Sequence, residues 1–182
     1  MNSIYFIMAT ENLKLLYTKD TIIQRVEDLA DQISQDYPSG NVLLVAVLKG
    51  AFVFLADLIR ALKIPVVIDF VRLSSYGTST TSSGKVKILK GLETSVTGKD
   101  VIIVEDIIDT GLTVKSLKAE LNKRQPRSLR VCALLDKKFR RQVEIDADYV
   151  GITMDKDYFI VGYGLDFSER YRHLPEIYYI EL

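Results

Sequence analysis

The stretch of residues 101–113, VIIVEDIIDTGLT, constrains the fold of this chain more than any other segment. Its first four residues are apolar and β-branched, which is typical of a strand buried on both faces of a sheet. A small, hydroxylated segment follows and leads into a helical pattern with one apolar face, formed by Val114, Leu117 and Leu121. A buried strand that turns directly into a helix predicts an α/β protein with a mostly parallel sheet.

Two adjacent carboxylates, Glu105 and Asp106, follow this predicted strand at the edge of its sheet. The glycine-containing turn beyond them offers backbone N–H groups and the positive end of a helix dipole, and Thr110 and Thr113 add hydroxyl donors. Such a turn suits a phosphate monoester, whereas paired carboxylates suit sugar hydroxyls, a hydrated divalent cation, or both. Because open α/β sheets bind ligands at the carboxyl ends of their strands, the stretch favours a phosphorylated-sugar site. An ordinary strand followed by an acidic loop and a capped helix stays open as the alternative.

Length, charge and cysteine content limit the classes of function. A chain of 182 residues fits one domain with a sizeable core, over residues 1–182. Basic and acidic residues both number 24, which argues against a dedicated nucleic-acid binder, because such proteins usually carry a basic excess. The single cysteine, Cys132, excludes an internal disulfide and is expected to be a buried, inert thiol. No apolar run approaches transmembrane length, so we expect a cytoplasmic protein without a membrane partner.

Hydrophobic periodicity predicts the remaining elements. An amphipathic helix is expected from Asp20 to the turn at 37–40, with the apolar residues Ile22, Ile23, Val26, Leu29, Ala30 and Ile33. Further elements are a helix at 51–62 and strands at 41–48, 66–73, 129–135, 149–154, 158–163 and 177–180. Residues 1–17 give no signal beyond an extended arm. The segment 74–84, SSYGTSTTSSG, is too polar to order itself, although its flanks can form a two-stranded ribbon.

The stretch 101–113 closely resembles the phosphoribosyl-diphosphate (PRPP) loop of the type I phosphoribosyltransferases. Its form EDIIDTG is similar to that of the 6-oxopurine branch, the hypoxanthine-guanine phosphoribosyltransferases. The resemblance implies the type I phosphoribosyltransferase fold, which is a central, mostly parallel, twisted sheet flanked by helices, with a small flexible-lid and hood region. Residues 74–84 are then expected to form the lid, and residues 155–182 the hood and part of the base pocket.

The resemblance also assigns roles within the central stretch. Glu105 and Asp106 are expected to hold the ribose hydroxyls and a Mg²⁺ ion. The 5′-phosphate is expected to bind the loop residues Asp109, Thr110, Gly111, Leu112 and Thr113. Asp109 is in addition the expected catalytic residue, a proton acceptor that is hydrogen-bonded to purine N7. Leu112 stands where many members of the family carry lysine, which lowers the positive charge near the phosphate without removing a reacting group.

Diphosphate binding is expected at two further places in the chain. Lys49 and Gly50 follow a predicted strand, and the segment LKGA is similar to the family's pyrophosphate-binding loop, in which the peptide before the lysine is a non-proline cis bond. Arg172, in the family's YR motif, is expected to contact the departing diphosphate. Ser75 and Tyr76 match the part of the lid that folds over the diphosphate and excludes water.

The resemblance places a purine pocket in the last third of the chain. Lys137, which can only donate hydrogen bonds, is expected to recognise the keto oxygen at purine C6 and to face the adenine amino group donor to donor. Phe159 is expected to stack on the base, and the backbone carbonyl of Ile160 to accept from its edge. Asp166 is expected to border this pocket and to hold a second cation. Each of these pocket residues, taken singly, could equally be an ordinary solvated, core or capping residue. Only their order, which matches the order of the family's motifs, favours a purine site.

Together these matches imply a Mg²⁺-dependent enzyme that transfers the 5-phosphoribosyl group from PRPP to hypoxanthine or guanine and forms a homodimer or homotetramer. A xanthine-preferring transferase remains an alternative, because it would keep the same loop. An RNA-binding regulator on the same fold would need a basic face, so the neutral charge and the complete base pocket argue against it and we expect no nucleic-acid partner. A non-enzymatic nucleotide binder would have no reason to combine Lys49 and Gly50 with a lid and Asp109.

Overall fold

The chain alternates strands and helices along most of its length. The computed structural model describes residues 12–75 and 86–181, with the backbone alone for residues 74–75 and 86–90. Its helices are α1 (Lys19–Asp36), α2 (Phe52–Ala61) and α3 (Leu112–Asn122). Its strands are β1 (Leu13–Tyr17), β2 (Val42–Leu48), β3 (Val66–Ser75), β4 (Val86–Lys90), β5 (Asp100–Ile108), β6 (Ser128–Asp136), β7 (Tyr149–Thr153), β8 (Phe159–Val161) and β9 (Ile177–Ile180).

Six of the strands form the main sheet, in the order β4-β3-β2-β5-β6-β7. All neighbouring pairs are parallel except β3 and β4, which are antiparallel. Helices α1 and α2 cover one face, where Ile22 and Phe54 belong to the same buried cluster as Ile102, and α3 covers the other, where Leu117 belongs to the same cluster as Ile103. Burial on both faces explains the unbroken apolar runs of the central strands and confirms the predicted α/β class with a mostly parallel sheet.

Helix α1 begins where its sequence supplies a cap and is buried along one stripe. The hydroxyl of Thr18 accepts a hydrogen bond from the Thr21 N–H at 3.2 Å, which satisfies one of the free donors of the first turn. The buried stripe consists of Ile22, Val26, Leu29, Ala30 and Ile33. Ile23 was grouped with this apolar face on sequence alone, but it is 40% exposed, because the residue next to Ile22 is turned about 100° around the helix.

Strand β5 is longer than its apolar core suggests, and this changes the position of the acidic pair. Pairing with β6 continues through Glu105↔Ala133 to Ile108↔Asp136. Glu105 and Asp106 therefore lie within the last residue pairs of the β5–β6 ladder. The apolar run had instead indicated that they follow the end of the strand. Since neighbouring strand residues point to opposite faces, Glu105 shares the α3 side with Ile103, and Asp106 shares the α1–α2 side with Val104.

A second, antiparallel sheet with the order β1-β9-β8 forms the hood. Residues 13–17, which were expected to be part of an extended arm, are one of its strands, and this is a correction. Their partner β9 lies more than 150 residues away in the chain, so no local pattern reveals the pairing. The predicted strand at 158–163 is shortened to β8, because Gly162 and Tyr163 take positive φ values of 97° and 50° that end the extended backbone.

The ribbon predicted on either side of the lid is present as the antiparallel pair β3 and β4. Leu73 pairs with Ile88, and Ser75 pairs with Val86. The predicted lid comprises residues 74–84. Its residues 76–84, with Tyr76, fall outside the described residues, as does the side chain of Ser75. Among the helices of the described ranges, none is both long and apolar enough to cross a membrane.

Candidate active site

Three loops start side by side at the carboxyl edge of the main sheet. Strands β2, β5 and β6 are parallel neighbours in this part of the sheet, and they end at Leu48, Ile108 and Asp136. The three residues that follow these ends are Lys49, Asp109 and Lys137. The parallel topology thus brings the start of the diphosphate loop, the phosphate loop and the purine loop of the prediction to one edge.

The turn between β5 and α3 is the predicted 5′-phosphate loop. Gly111 has a φ of +82°, and a Cβ at this position would lie 2.5 Å from the Ile145 side chain, so glycine is required for both reasons. Helix α3 begins at Leu112, and its N-cap residue, Gly111, has no side chain that could cap the first turn. Apart from the Leu112 N–H, the N–H groups of this turn can therefore receive an anion. The Thr110 hydroxyl accepts from the Leu112 N–H at 3.4 Å, whereas Thr113 lines the adjacent cavity.

A cavity of about 310 Å³ opens between the ends of β2 and β5. Its polar wall is the acidic pair together with Thr113, and its other lining residues are Val47, Leu48, Gly50 and Leu73. Glu105 is only 5% exposed. The cavity therefore places two carboxyl groups next to the phosphate loop, with little solvent around them.

Burial shifts the ionisation of both carboxyl groups toward the neutral form. Burial raises the pKa of Glu105 well above its usual value, and the charge of Asp106 adds to the rise. Burial also raises the pKa of Asp106 to about 6, although backbone N–H groups and the Arg172 guanidinium act in the opposite direction. A divalent cation would reverse this effect, because its charge favours the ionised carboxylates.

The donor set fits Mg²⁺ only if the substrate completes the coordination. No group of three or more His, Cys, Asp and Glu side chains within the described ranges is arranged to hold a metal ion. Mg²⁺ is commonly bound through one or two carboxylates, with water and substrate phosphate oxygens as the remaining ligands. Glu105 and Asp106 supply that number of carboxylates, and Asp166 is close enough for its charge to act on Asp106.

The loop after β2 lies directly against the acidic pair. The peptide bond between Leu48 and Lys49 is cis, as the resemblance implies. A Cβ at Gly50 would overlap the Asp106 carboxylate, and a Cβ at Gly164 would overlap the Gly50 carbonyl oxygen. The backbone at Gly50 is thus packed between Asp106 on one side and the turn at Gly164 on the other, and a side chain at position 50 would displace the Asp106 carboxylate.

The two predicted diphosphate-binding cations share one carboxylate. Lys49 Nζ lies 2.8 Å from Glu169 Oε1, and Arg172 lies 3.2 Å from the other oxygen of Glu169. Arg172 also pairs with Asp166 at 2.7 Å and donates to the Gly164 carbonyl at 2.7 Å. The structure therefore brings Lys49 and Arg172 together, as predicted, and places Asp166 beside Arg172. Glu169, which sequence reasoning missed, stands between the two cations.

The predicted purine-recognition lysine is connected to the predicted catalytic aspartate. Lys137 is 6% exposed, donates to the Tyr158 carbonyl at 2.5 Å and lies 3.4 Å from Asp157 Oδ1. The second oxygen of Asp157 accepts from Arg140 at 2.8 Å, and Arg140 Nε lies 3.1 Å from Asp109 Oδ1. Lys137 and Asp109 therefore belong to one chain of ion pairs at the carboxyl edge of the sheet.

The aromatic residue expected to stack on the base is exposed next to this lysine. Phe159 directly follows Tyr158, whose carbonyl Lys137 binds, and it is 44% exposed. Its ring is nearly perpendicular to that of Phe167, with 5.3 Å between ring centroids. Its neighbour Ile160 is buried in the hood. A partly exposed aromatic ring of this kind is suited to contact a planar ligand.

Arg140, Arg141 and Asp157 are further site residues that sequence reasoning missed. The two arginines belong to the segment KKFRR, which reads as an ordinary solvated basic cluster. Asp157 falls in a predicted turn. No local signal separates these residues from solvated ones, because their partners lie on other loops of the fold.

Comparison with known proteins agrees with this geometry. The family model described as "Phosphoribosyl transferase domain" matches residues 13–168. The chain belongs to the phosphoribosyltransferase family, and it is therefore a transferase.

Its relatives place it in one branch of that family. It is 46% identical over 172 residues to a hypoxanthine-guanine phosphoribosyltransferase of Aquifex aeolicus, with 94% of this chain and 96% of the relative covered. It is 48% identical over 166 residues to the enzyme of the same name from Dictyostelium discoideum, covering 89% and 92%. A crystal structure of a Bacillus anthracis hypoxanthine-guanine phosphoribosyltransferase superposes with a TM-score of 0.89 at 47% identity, covering 93% of this chain and 100% of that one. The branch is thus that of the hypoxanthine-guanine phosphoribosyltransferases, as the EDIIDTG motif indicated.

Proposed function

We propose that this enzyme transfers the 5-phosphoribosyl group from PRPP to N9 of hypoxanthine or guanine, giving IMP or GMP and diphosphate. The observation that carries the proposal is the ion-pair chain from Asp109 through Arg140 and Asp157 to Lys137. This chain connects the proposed proton acceptor with the proposed donor for a purine oxo group, which supports a shared purine site. The diphosphate cations Lys49 and Arg172 stand at the same edge of the sheet.

Each part of the site then contacts one part of the substrates. The N–H groups and hydroxyls of residues 109–113 bind the 5′-phosphate, and Glu105 and Asp106 hold the ribose hydroxyls. Lys49, Gly50 and Arg172 bind the diphosphate. Glu105 and Asp106, with a second site at Asp166, would hold Mg²⁺, and its charge would make diphosphate a better leaving group.

Asp109 carries out the proton chemistry at the base. Its carboxylate accepts the proton from purine N7 as positive charge develops at C1′ of the ribose. To do so it exchanges the Arg140 partner, at 3.1 Å, for the purine. Phe159 stacks on the base, and the Ile160 carbonyl accepts from its edge.

The choice of base follows from the hydrogen-bond chemistry of Lys137. An ammonium donates to the C6 oxo group of hypoxanthine, guanine and xanthine, but it leaves the adenine amino group without an acceptor. A xanthine-preferring enzyme is the second candidate, because it would share this contact.

A product assay tests the proposal directly. Purified protein is incubated with PRPP and Mg²⁺ and one of five bases, namely hypoxanthine, guanine, xanthine, adenine and uracil, and nucleotide and diphosphate are quantified. We expect stoichiometric nucleotide and diphosphate with hypoxanthine and guanine. Faster turnover of xanthine would support the second candidate, and absence of diphosphate release with every oxopurine would contradict both.

We also propose that the enzyme is a homo-oligomer of the cytoplasm. An apolar groove of about 810 Å³ runs between α1 and α2, and Ile23 and Phe52 on its walls are 40% and 45% exposed. A second copy of the chain covering this groove would remove both side chains from water. Phe52→Asp should then lower the oligomeric mass measured by light scattering, whereas an unchanged mass would point to another interface. The cytoplasmic location is supported by the single cysteine of the sequence, because disulfide-bonded proteins are typical of oxidising compartments.

A further inference from the structure

We propose that Arg141 is a positioning residue that shapes the phosphate loop, although it touches no substrate itself. The inference rests on the proposed function, because it deepens the role of residues 109–113 as the 5′-phosphate site. It starts from an arginine in the KKFRR segment that resembles a solvated side chain in the sequence but is only 14% exposed.

Each of the three nitrogens of the Arg141 guanidinium has a partner inside the protein. One terminal nitrogen donates to the Ile108 carbonyl at 2.9 Å and to the Asp109 carbonyl at 2.7 Å. Its Nε donates to the Ile145 carbonyl at 3.2 Å, and its other terminal nitrogen pairs with Asp136. Asp136 is completely buried, so the ion pair holds the guanidinium at one place at the end of β6. Arg141 is therefore not a free cation awaiting a phosphate.

These bonds hold successive carbonyl groups of the phosphate loop on one side. The Ile108 carbonyl also accepts from the Lys137 N–H at 3.0 Å, and the Thr110 carbonyl accepts from the Gln142 N–H at 3.0 Å. The carbonyls of residues 108, 109 and 110 thus all point toward the segment 137–142. An extended strand would instead alternate their directions.

The orientation of these carbonyls fixes the orientation of the N–H groups. In a trans peptide the N–H points away from the C=O, and the only cis peptide among the described residues is the one before Lys49. The N–H groups of Asp109, Thr110 and Gly111 are therefore directed to the side opposite Arg141. Successive N–H groups on one side form an anion-binding concavity, and the N-terminus of α3 continues it.

Arginine is required here because of the shape of its side chain. A guanidinium carries five N–H donors in a planar fork, so it can bind three carbonyl oxygens and one carboxylate at the same time. A lysine ammonium could neutralise Asp136 but could not reach all three carbonyls. The carbonyls of Ile108 and Asp109 would then be free to rotate, and the N–H groups on the opposite side would rotate with them.

The test uses Arg141→Lys and Arg141→Gln, with Arg127→Gln as the matched control. Arg127 forms the corresponding ion pair with Asp100 at the opposite end of β5, away from the loop. Affinity for ribose 5-phosphate is measured by calorimetry, and KM for PRPP and for hypoxanthine is measured separately. Thermal unfolding of each variant identifies any loss that is due to folding alone, and Arg141→Lys keeps the charge beside buried Asp136.

We expect both Arg141 variants to bind ribose 5-phosphate at least about tenfold more weakly and to raise KM for PRPP, with little change in KM for hypoxanthine. Unchanged ribose 5-phosphate affinity in folded Arg141→Lys and Arg141→Gln would overturn the inference. An equal loss for ribose 5-phosphate and for hypoxanthine would overturn it as well, because that pattern indicates general disruption. If the wild-type protein binds ribose 5-phosphate through this loop but forms no nucleotide, the inference survives and the proposed function fails.

Discussion

Replacing Lys137 by methionine should convert an enzyme that selects oxopurines into one with little selection. The Lys137 side chain is 7% exposed, and methionine occupies a similar volume, so the change removes the donor without opening a large void. A hydrogen bond to a charged group is worth about 1.5–3 kcal/mol, which corresponds to a loss of about 10- to 150-fold in kcat/KM for hypoxanthine and guanine. Adenine should lose nothing, because its amino group never had an acceptor there.

The stability effect of the same change can be separated from the specificity effect. The Tyr158 carbonyl loses its donor, whereas Asp157 keeps Arg140 as a partner at 2.8 Å. A lost partner of this kind costs about 1 kcal/mol, which lowers Tm by about 2–4 °C for a chain of this size. Lys138→Met is the matched control, since Lys138 is the exposed neighbour of Lys137.

The assay is a comparison of kcat/KM for hypoxanthine and adenine at saturating PRPP in wild-type protein and both variants. The oxo-to-amino ratio should fall by about 10- to 150-fold in Lys137→Met and stay constant in Lys138→Met. If kcat/KM for the two bases fell in parallel in Lys137→Met, the ammonium would have a general structural role. The assignment of base recognition to this residue would then be refuted.

Three further changes test other parts of the site. The pKa of Asp106 is raised to about 6 by burial, and cation binding needs its ionised form, so Mg²⁺ affinity in a PRPP titration should fall about tenfold or more per pH unit below pH 6. In Asp106→Asn this dependence should become less steep and be due to Glu105, whose pKa burial also raises. Glu169→Gln should lower KM for PRPP several-fold, because it frees Lys49 and Arg172 for the diphosphate, while an unchanged KM would show that the contact is inert. Gly50→Ala should raise KM for PRPP at least about tenfold, because the added Cβ overlaps Asp106. Gly91→Ala is the control and should match the wild type, because an added Cβ there meets no atom of the described residues within 4 Å.

The main sheet was readable from the sequence because its signals are local. The apolar runs of β2, β5 and β6 report burial on both faces, and the periodicity of α1 and α3 reports one buried face each. The end of β5 could not be placed correctly, because Glu105 and Asp106 break the apolar run while their backbone still pairs with β6. The strand β1 could not be found, because its five residues are only partly buried and its partner β9 is at the other end of the chain.

In the candidate site, too, the sequence indicated the individual residues but not the partners that they contact. The cations and carboxylates with expected roles were identified through motifs, yet the structure shows that they do not wait in solvent for a substrate. Each predicted cation already forms an ion pair with a carboxylate, and so does Arg140. The pairs are Lys49–Glu169, Arg172–Asp166, Lys137–Asp157 and Arg140–Asp109. None of these pairs is close in sequence, except the one between Asp166 and Arg172, so motifs alone could not reveal them.

This pairing changes how substrate binding should be understood. A cation that already has a protein partner contributes to affinity only by the difference between the substrate and that partner. Several of these partners are exposed, as in the Lys49–Glu169 pair, where the side chains are 48% and 63% exposed, and exposed ion pairs contribute little to stability. Replacing the protein carboxylate by the substrate therefore costs little free energy at the diphosphate side, where a doubly charged group takes the place of one carboxylate. The exchange is more demanding at Lys137, which is buried, and from this contrast we predict that charge at Lys137 selects the base, whereas charge at Lys49 mainly sets affinity.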